Sequence, residues 1–273
     1  GVLYYRADLL SAAGAKPPTT WSELSATCTK VLGSASGMSC YGAALRQSES
    51  LTVNVAEAVA SAGGVLVTAD GTPDVDSTNA TLGLRWLAGG VKDGSIPADA
   101  LNWNEEAARQ AFDDGRLLFL RDWSDAEPAL RGASTSTASS APPRLGVAQI
   151  PGRSGVGTAV AGGVGLGISP WGRNQSTAAD FIRSEAVQRE LLEKGSVAPA
   201  REDLYADADL STKIAYLPVL AAAVHSARPL PVTPKYPDVS AAIQAATHPV
   251  LKGTQDASEA MAALQTQLTN LLK

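Results

Sequence analysis

The chain is poor in the residues on which catalysis and metal binding most often rest. Only two of its 273 residues are histidine, His225 and His248, and two are cysteine, Cys28 and Cys40. The histidines lie far apart, inside or at the ends of predicted helices, with no partnering pattern; they read as surface or capping residues. The cysteines have no further cysteine or nearby histidine to complete a metal site. There is no G-x-S-x-G elbow, H-E-x-x-H pair or Walker loop. The run GGVGLG at 162–167 fails the dinucleotide fingerprint, because Ile168 stands where a third spaced glycine is needed. No motif calls for a cofactor. No apolar run approaches the length of a membrane span. A basic surplus is missing too: 22 Lys and Arg against 27 Asp and Glu leave a net charge of −5, which argues against a nucleic-acid surface. Adjacent acids do occur, Glu105-Glu106 and Asp113-Asp114, but at predicted helix ends, where they read as solvated caps.

What is present suits a folded core. Hydrophobic residues make up 45% and charged residues 18%, and the length allows one large or two medium domains. Strand and helix patterns mix without strict alternation, which predicts an α/β fold. The organising stretch is AFDDGRLLFLRDW, residues 111–123. A helix ends near Phe112, Gly115 supplies a left-handed stop, and Leu117–Leu120 is an apolar run read as a buried strand. That strand delivers Trp123 to its end, where open α/β sheets hold ligands. A Trp there offers a flat apolar face to the C–H face of a sugar ring; the alternative is a core aromatic.

Along the chain, Val2–Tyr5 reads as a strand that needs neighbours to pair with, and Gly1 is not a natural start, so an N-terminal portion is expected to be missing. Thr20 and Glu23 form a capping box for a helix over 21–32. Cys28 lies on that helix and Cys40 opens the next strand. Packing of helix on strand could bring them to bridging distance, which would mark an oxidising compartment; two buried free thiols are the alternative. Helices are predicted over 51–62, 78–92, 105–112, 125–130, 177–194, 210–226, 238–251 and 257–272, and strands over 40–45, 145–150 and 160–169. Residues 132–143, GASTSTASSAPP, read as a mobile surface loop. The Gly-rich 151–158 reads as a hinge or crossover, and four prolines keep 227–237 from being helical.

Five stretches in order resemble bacterial extracytoplasmic solute-binding proteins of ABC importers, of the maltose- and trehalose-binding type, and among them the lipoproteins of actinobacteria. They are LYYRADLLSAAGAKPPTTWSEL (3–24), AFDDGRLLFLRDW, AGGVGLGIS (161–169), LLEKGSVAPAREDLY (191–205) and RPLPVTPKYPDVSAAI (228–243). The resemblance implies a periplasmic-binding-protein-like (type II) fold of two α/β lobes. Residues 1–156 and 206–273 would belong to the C-terminal lobe and 157–205 to the N-terminal lobe, most of which would precede Gly1. It implies a non-enzymatic sugar receptor, monomeric, that delivers its ligand to membrane permease subunits from outside the cell membrane, held there by a lipid anchor. Trp123 matches the family's ring-stacking Trp, Gly162 and Gly163 the glycine pair whose backbone meets the sugar, and Arg228 an arginine that bonds hydroxyls. Tyr236 would line the pocket, and Arg46, Gln47 and Glu49 lie on a strand-end loop where relatives place polar contacts. Two departures stand out. Asp122 and Asp125 flank Trp123 where relatives carry other residues, and the helix ending at Arg183 lacks the usual apolar continuation. A receptor for another solute, such as a glycerophosphodiester, and a glycosidase with two facing carboxylates are the other readings.

Overall fold

Backbone donors and acceptors in a strand need partners, and β1 (Val2–Arg6) finds them within the chain, on both sides. It runs antiparallel to β3 (Leu117–Asp122), with Val2 opposite Asp122, and antiparallel to β4 (Leu145–Ala148), with Leu3 opposite Ala148. Strand β2 (Ser39–Gly42) pairs parallel with β3, giving the order β2-β3-β1-β4. The computed structural model describes residues 1–33, 37–133, 145–163 and 165–273; residues 134–143 of the loop expected at 132–143 lie outside these. All six residues of β3 are buried, as befits an inner strand with both faces covered. Because β2 and β3 are parallel, the loop after β2 and the residue after β3, Trp123, emerge at the same edge of the sheet.

The helices follow their sequence signals. α1 (Ala7–Ala12) is short and is followed by Gly14 at φ 57°. α2 (Trp21–Leu32) opens on the expected capping box: Thr20 Oγ1 accepts from Glu23 N–H at 3.1 Å, and Glu23 Oε2 accepts from Thr20 N–H at 3.2 Å. Cys28 of α2 is bonded to Cys40 of β2, with the Cα atoms 5.4 Å apart. α3 (Glu49–Ser61) is buried all round from Leu51 to Val59, between α4 (Thr78–Asp93) and α11 (Tyr236–Leu251). Gly83 permits the close α3–α4 approach, since a Cβ there would lie 2.5 Å from the Ala58 carbonyl oxygen. α12 (Ala257–Leu271) packs on α11. α5 (Glu105–Asp113) ends short of Gly115, at φ 72°, which turns the chain into β3. α6 (Glu127–Ala133) follows Trp123 after one short turn.

Several expected elements come out differently. The helix expected over 177–194 is two, α7 (Gln175–Arg183) and α8 (Glu185–Gly195): Ser184 leaves helical geometry and caps α8 through Val187 N–H. The helix expected over 210–226 is also two, α9 (Ala208–Lys213) and α10 (Leu217–Ser226), because Pro218 starts a helix rather than continuing one. Among the described residues of 160–169 no strand forms; Val160 makes a single parallel bridge with Arg228, and the described residues from Gly162 to Ser169 are exposed. The Gly-rich stretch 151–158 is held by hydrogen bonds to the neighbouring helices. Gly152 bonds Thr19 O and Gly155 O, and Arg153 N–H donates to Ser61 O, so this turn is tied to α2 and α3.

The core has two parts. The larger gathers the sheet, α2 to α5, α11 and α12. The smaller holds Leu192, Leu204, Leu210, Tyr216, Leu217 and Leu220, with Val147 packed against it. It therefore joins residues on both sides of the domain boundary expected at 205.

Candidate ligand-binding site

Trp123 is held by its backbone before its ring is considered. Its N–H donates to Asp122 Oδ1 at 2.7 Å, and its carbonyl accepts from the Tyr4 hydroxyl at 2.8 Å. Asp122 is gripped in turn by Arg109, Nε to Oδ2 at 2.7 Å and Nη2 to Oδ1 at 3.2 Å. Burial raises the Asp122 carboxyl above its ordinary value, and Arg109 opposes that rise. Asp125, the other acid beside Trp123, is exposed and lies 3.7 Å from Arg109.

The ring is positioned by strand periodicity. Residues two apart point to one face, so Arg121 and Trp123 lie together, the Arg121 guanidinium carbon 4.3 Å from the Trp123 ring centroid. Arg121 is also paired with Glu57 of α3, Nε to Oε2 at 2.6 Å and Nη2 to Oε1 at 2.7 Å, and both residues are only 4% exposed. Glu57 Oε1 further accepts from the Val160 N–H at 2.9 Å. Burial alone would push the Glu57 carboxyl up; Arg121, the N-terminal amine and the Val160 N–H together outweigh it and hold the carboxyl below its ordinary value. The outer edge of the Trp123 ring meets Gly162, where a Cβ would lie 2.5 Å from Cη2. Only glycine admits that approach.

Arg228 reaches the same place through its backbone. Its N–H donates to Ala159 O at 2.9 Å, and its carbonyl accepts from Ala161 N–H at 2.8 Å. Its side chain is exposed and has no ion-pair partner among the described residues. Gly163 is exposed, with open space where a side chain would stand. Trp123, Gly162 and Arg228 are thus joined by direct contact and one bridge. Arg46 and Gln47 are exposed on the loop between β2 and α3. Glu49 and Tyr236 are brought together but bound to each other: the Tyr236 hydroxyl donates to Glu49 Oε1, and Ser240 Oγ donates to Oε2 at 2.6 Å. Burial and then the Glu49 contact push the Tyr236 hydroxyl up. This network continues through Thr52 and Gln244 and fastens α3 to α11.

Two residues of the site escaped the sequence reading, Arg121 and Glu57. Each carried a faint signal: a lone acid inside an apolar helix, and a lone base closing an apolar strand. Of the histidines, His225 faces Glu202 at 2.8 Å on the surface, whereas His248 is buried against the Leu101 carbonyl rather than capping at the surface. A cleft beneath the stacked Trp21 and Trp86 holds about 20 Å³, room for one water and not for a sugar ring.

The α/β fold with sheet order β2-β3-β1-β4 is periplasmic-binding-protein-like, type II, as in the solved structures it matches. The chain belongs to the bacterial extracellular solute-binding protein family, whose model matches residues 1–218. It is 30% identical over 284 residues to a probable ABC transporter-binding protein of Deinococcus radiodurans, covering 99% of this chain and 66% of that protein, so the chain spans just under two thirds of that relative. Among solved structures it is similar to maltose-bound MalE3 of T. maritima, at 27% identity and a TM-score of 0.87, covering 99% of this chain and 70% of that one. It also resembles, in fold, a solute-binding protein of Thermotoga lettingae bound with α-D-tagatose, at 23% identity and a TM-score of 0.85, covering 100% of this chain and 70% of that one.

Proposed function

We propose that the protein is the carbohydrate receptor of an ABC importer, a binding component rather than a catalyst, taking a disaccharide or short oligosaccharide of the maltose or trehalose type. The observation that carries this reading is the Trp123 ring: partly exposed at the end of a buried strand, braced on one face by Arg121 and touched at its edge by Gly162. An aromatic face held this way suits the C–H face of a pyranose. Backbone groups around Gly162 and Gly163 and the free fork of Arg228 supply directional donors for hydroxyls. The maltose-bound relative supports the same ligand class. Gln47 belongs to the site by its place at the sheet edge; Glu49 and Tyr236 act mainly by holding α3 to α11. In this reading the lobes divide as 1–160 with 228–273, and 161–227. The Val160–Arg228 bridge supports these crossovers, and the second cluster falls wholly inside the latter segment. The receptor would work as a monomer outside the cell membrane, held by a lipid anchor, and hand its sugar to permease subunits. Ligand would favour the closed arrangement by binding it better than the open one. A calorimetric screen of the intact protein against mono- and disaccharides tests the reading. Saturable heat with at least one sugar is expected; silence across the panel, with heat from a glycerophosphodiester, would replace it.

A further inference from the structure

We propose that the buried Arg121–Glu57 pair is the positioning device of this site: it decides which face of Trp123 is open and ties that ring to the crossover backbone at Val160. The inference rests on the sugar-receptor reading above. A buried ion pair is a poor source of stability, because desolvation offsets most of its attraction. Its presence at 4% exposure in both residues therefore calls for a geometric reason. The geometry supplies one. The guanidinium is planar and donates through Nε and Nη2 to the two Glu57 oxygens, which fixes its plane. With its carbon 4.3 Å from the ring centroid, it covers one face of Trp123. Gly162 meets the ring edge. A ligand that stacks on the ring would have to use the opposite face, so stacking would be one-sided.

The same carboxylate reaches the crossover. Glu57 Oε1 accepts both Arg121 Nη2 and Val160 N–H, so one oxygen links the indole brace to the segment that leads to Gly162. The start of β1 closes over the pair as well: a Cβ on Gly1 would lie 2.5 Å from Glu57 Oε1 and 2.6 Å from Arg121 Nη2. Displacing the crossover strains the carboxylate, the guanidinium and the ring together.

Two variants of the intact protein separate the halves of this claim. Glu57→Met/Arg121→Met removes both charges, so no unpaired ion is left buried. Arg121→Lys keeps a cation opposite Glu57 but loses the planar fork. The protein is labelled with 5-fluorotryptophan, and the Trp123 resonance is assigned by Trp123→Phe. That resonance is expected to move and broaden in both variants. In the double variant the Val160 amide is expected to exchange at least about ten-fold faster while the Phe119 amide keeps its rate; in Arg121→Lys the Val160 amide stays protected. An unchanged Trp123 resonance in Arg121→Lys overturns the proposal even if the double variant does not fold. Equal acceleration at Val160 and Phe119 also overturns it, since the pair would then be general packing. Failure of the sugar reading would show separately, as unchanged maltose affinity in Trp123→Ala, because neither of these readouts contains sugar.

Discussion

Trp123 combines a fixed backbone with a ring that is only partly covered, the combination that the proposed stacking role requires. Leu117 to Leu120 do the packing of β3 and are fully buried, so the fold does not depend on the indole. Trp123→Ala is expected to weaken sugar binding by roughly 1–3 kcal/mol, the range of aromatic stacking, or about 5- to 150-fold in Kd. The melting temperature of the free protein should fall by only a few degrees, since one cation–π contact of about 1 kcal/mol is lost. Calorimetry with the bound sugar and a thermal melt check both. Unfolding with retained affinity at low temperature would make Trp123 a core residue. Asp113 gives a second test at this scale. Burial, then the adjacent Asp114, raises its carboxyl to about 6 from 3.8, and it ends α5, where the helix dipole disfavours a negative charge. Its folded state holds the proton more tightly than the unfolded chain does. The group therefore costs stability above pH 6, and the cost disappears as pH falls from about 6 to 4. Asp113→Asn should melt higher than the wild type at pH 7.5 and equally at pH 4; a constant difference across that range would contradict the assignment.

Among the elements, α2 and β2 show how local signals and one covalent link combine. The capping box starts α2, and Cys28 and Cys40 join it to the sheet across a sequence separation of 12. A loop of that size should contribute about 3 kcal/mol through the unfolded chain. Cys28→Ser/Cys40→Ser is expected to lower the urea midpoint and, because the unfolded chain is released, to leave the slope equal or slightly steeper. Recovery of two free thiols from unreduced, alkylated wild type by mass spectrometry would remove the basis for it. The elements that came out differently share a cause. Ser184 and Pro218 are a cap and a helix-start residue lying inside continuous apolar periodicity. Periodicity persists across a break, so pattern alone joins what capping separates.

Across the whole molecule, stability is uneven. α7 buries no residue, Trp171 is 89% exposed and Phe181 65% exposed, and the second cluster is small beside the first. Regions with few buried contacts open first. Hydrogen exchange followed by mass spectrometry should show peptides within 175–195 exchanging orders of magnitude faster than those of β3. Matching protection in the two regions would show that the smaller cluster is held as firmly as the sheet. Among the contacts that join the parts, Ser196 Oγ donates to Glu127 Oε2 at 3.1 Å, Val147 packs on the second cluster, and α10 gives Leu217 and Leu220 to the smaller cluster and Ala223 to the larger.

Sequence alone determined the α/β class, most helix ends, the buried run Leu117–Leu120 and the placing of Trp123 at a strand end, whereas Gly162 and Arg228 were nominated only by the family resemblance. The former depend on local terms: glycine's tolerance of positive φ, side-chain oxygens capping free N–H groups, and the period of apolar residues. The resemblance of five ordered stretches added the family. What sequence could not reach was pairing at long range. That β1 lies between β3 and β4, that Glu49 is spent on Tyr236, and that Glu57 bonds Arg121 and Val160 at once are contacts between residues far apart in the chain. Nothing in the local backbone energy distinguishes them from other pairings. They are chosen by burial, because a carboxylate driven into the core by the apolar face of its helix must find a cation and an N–H wherever the fold has brought them.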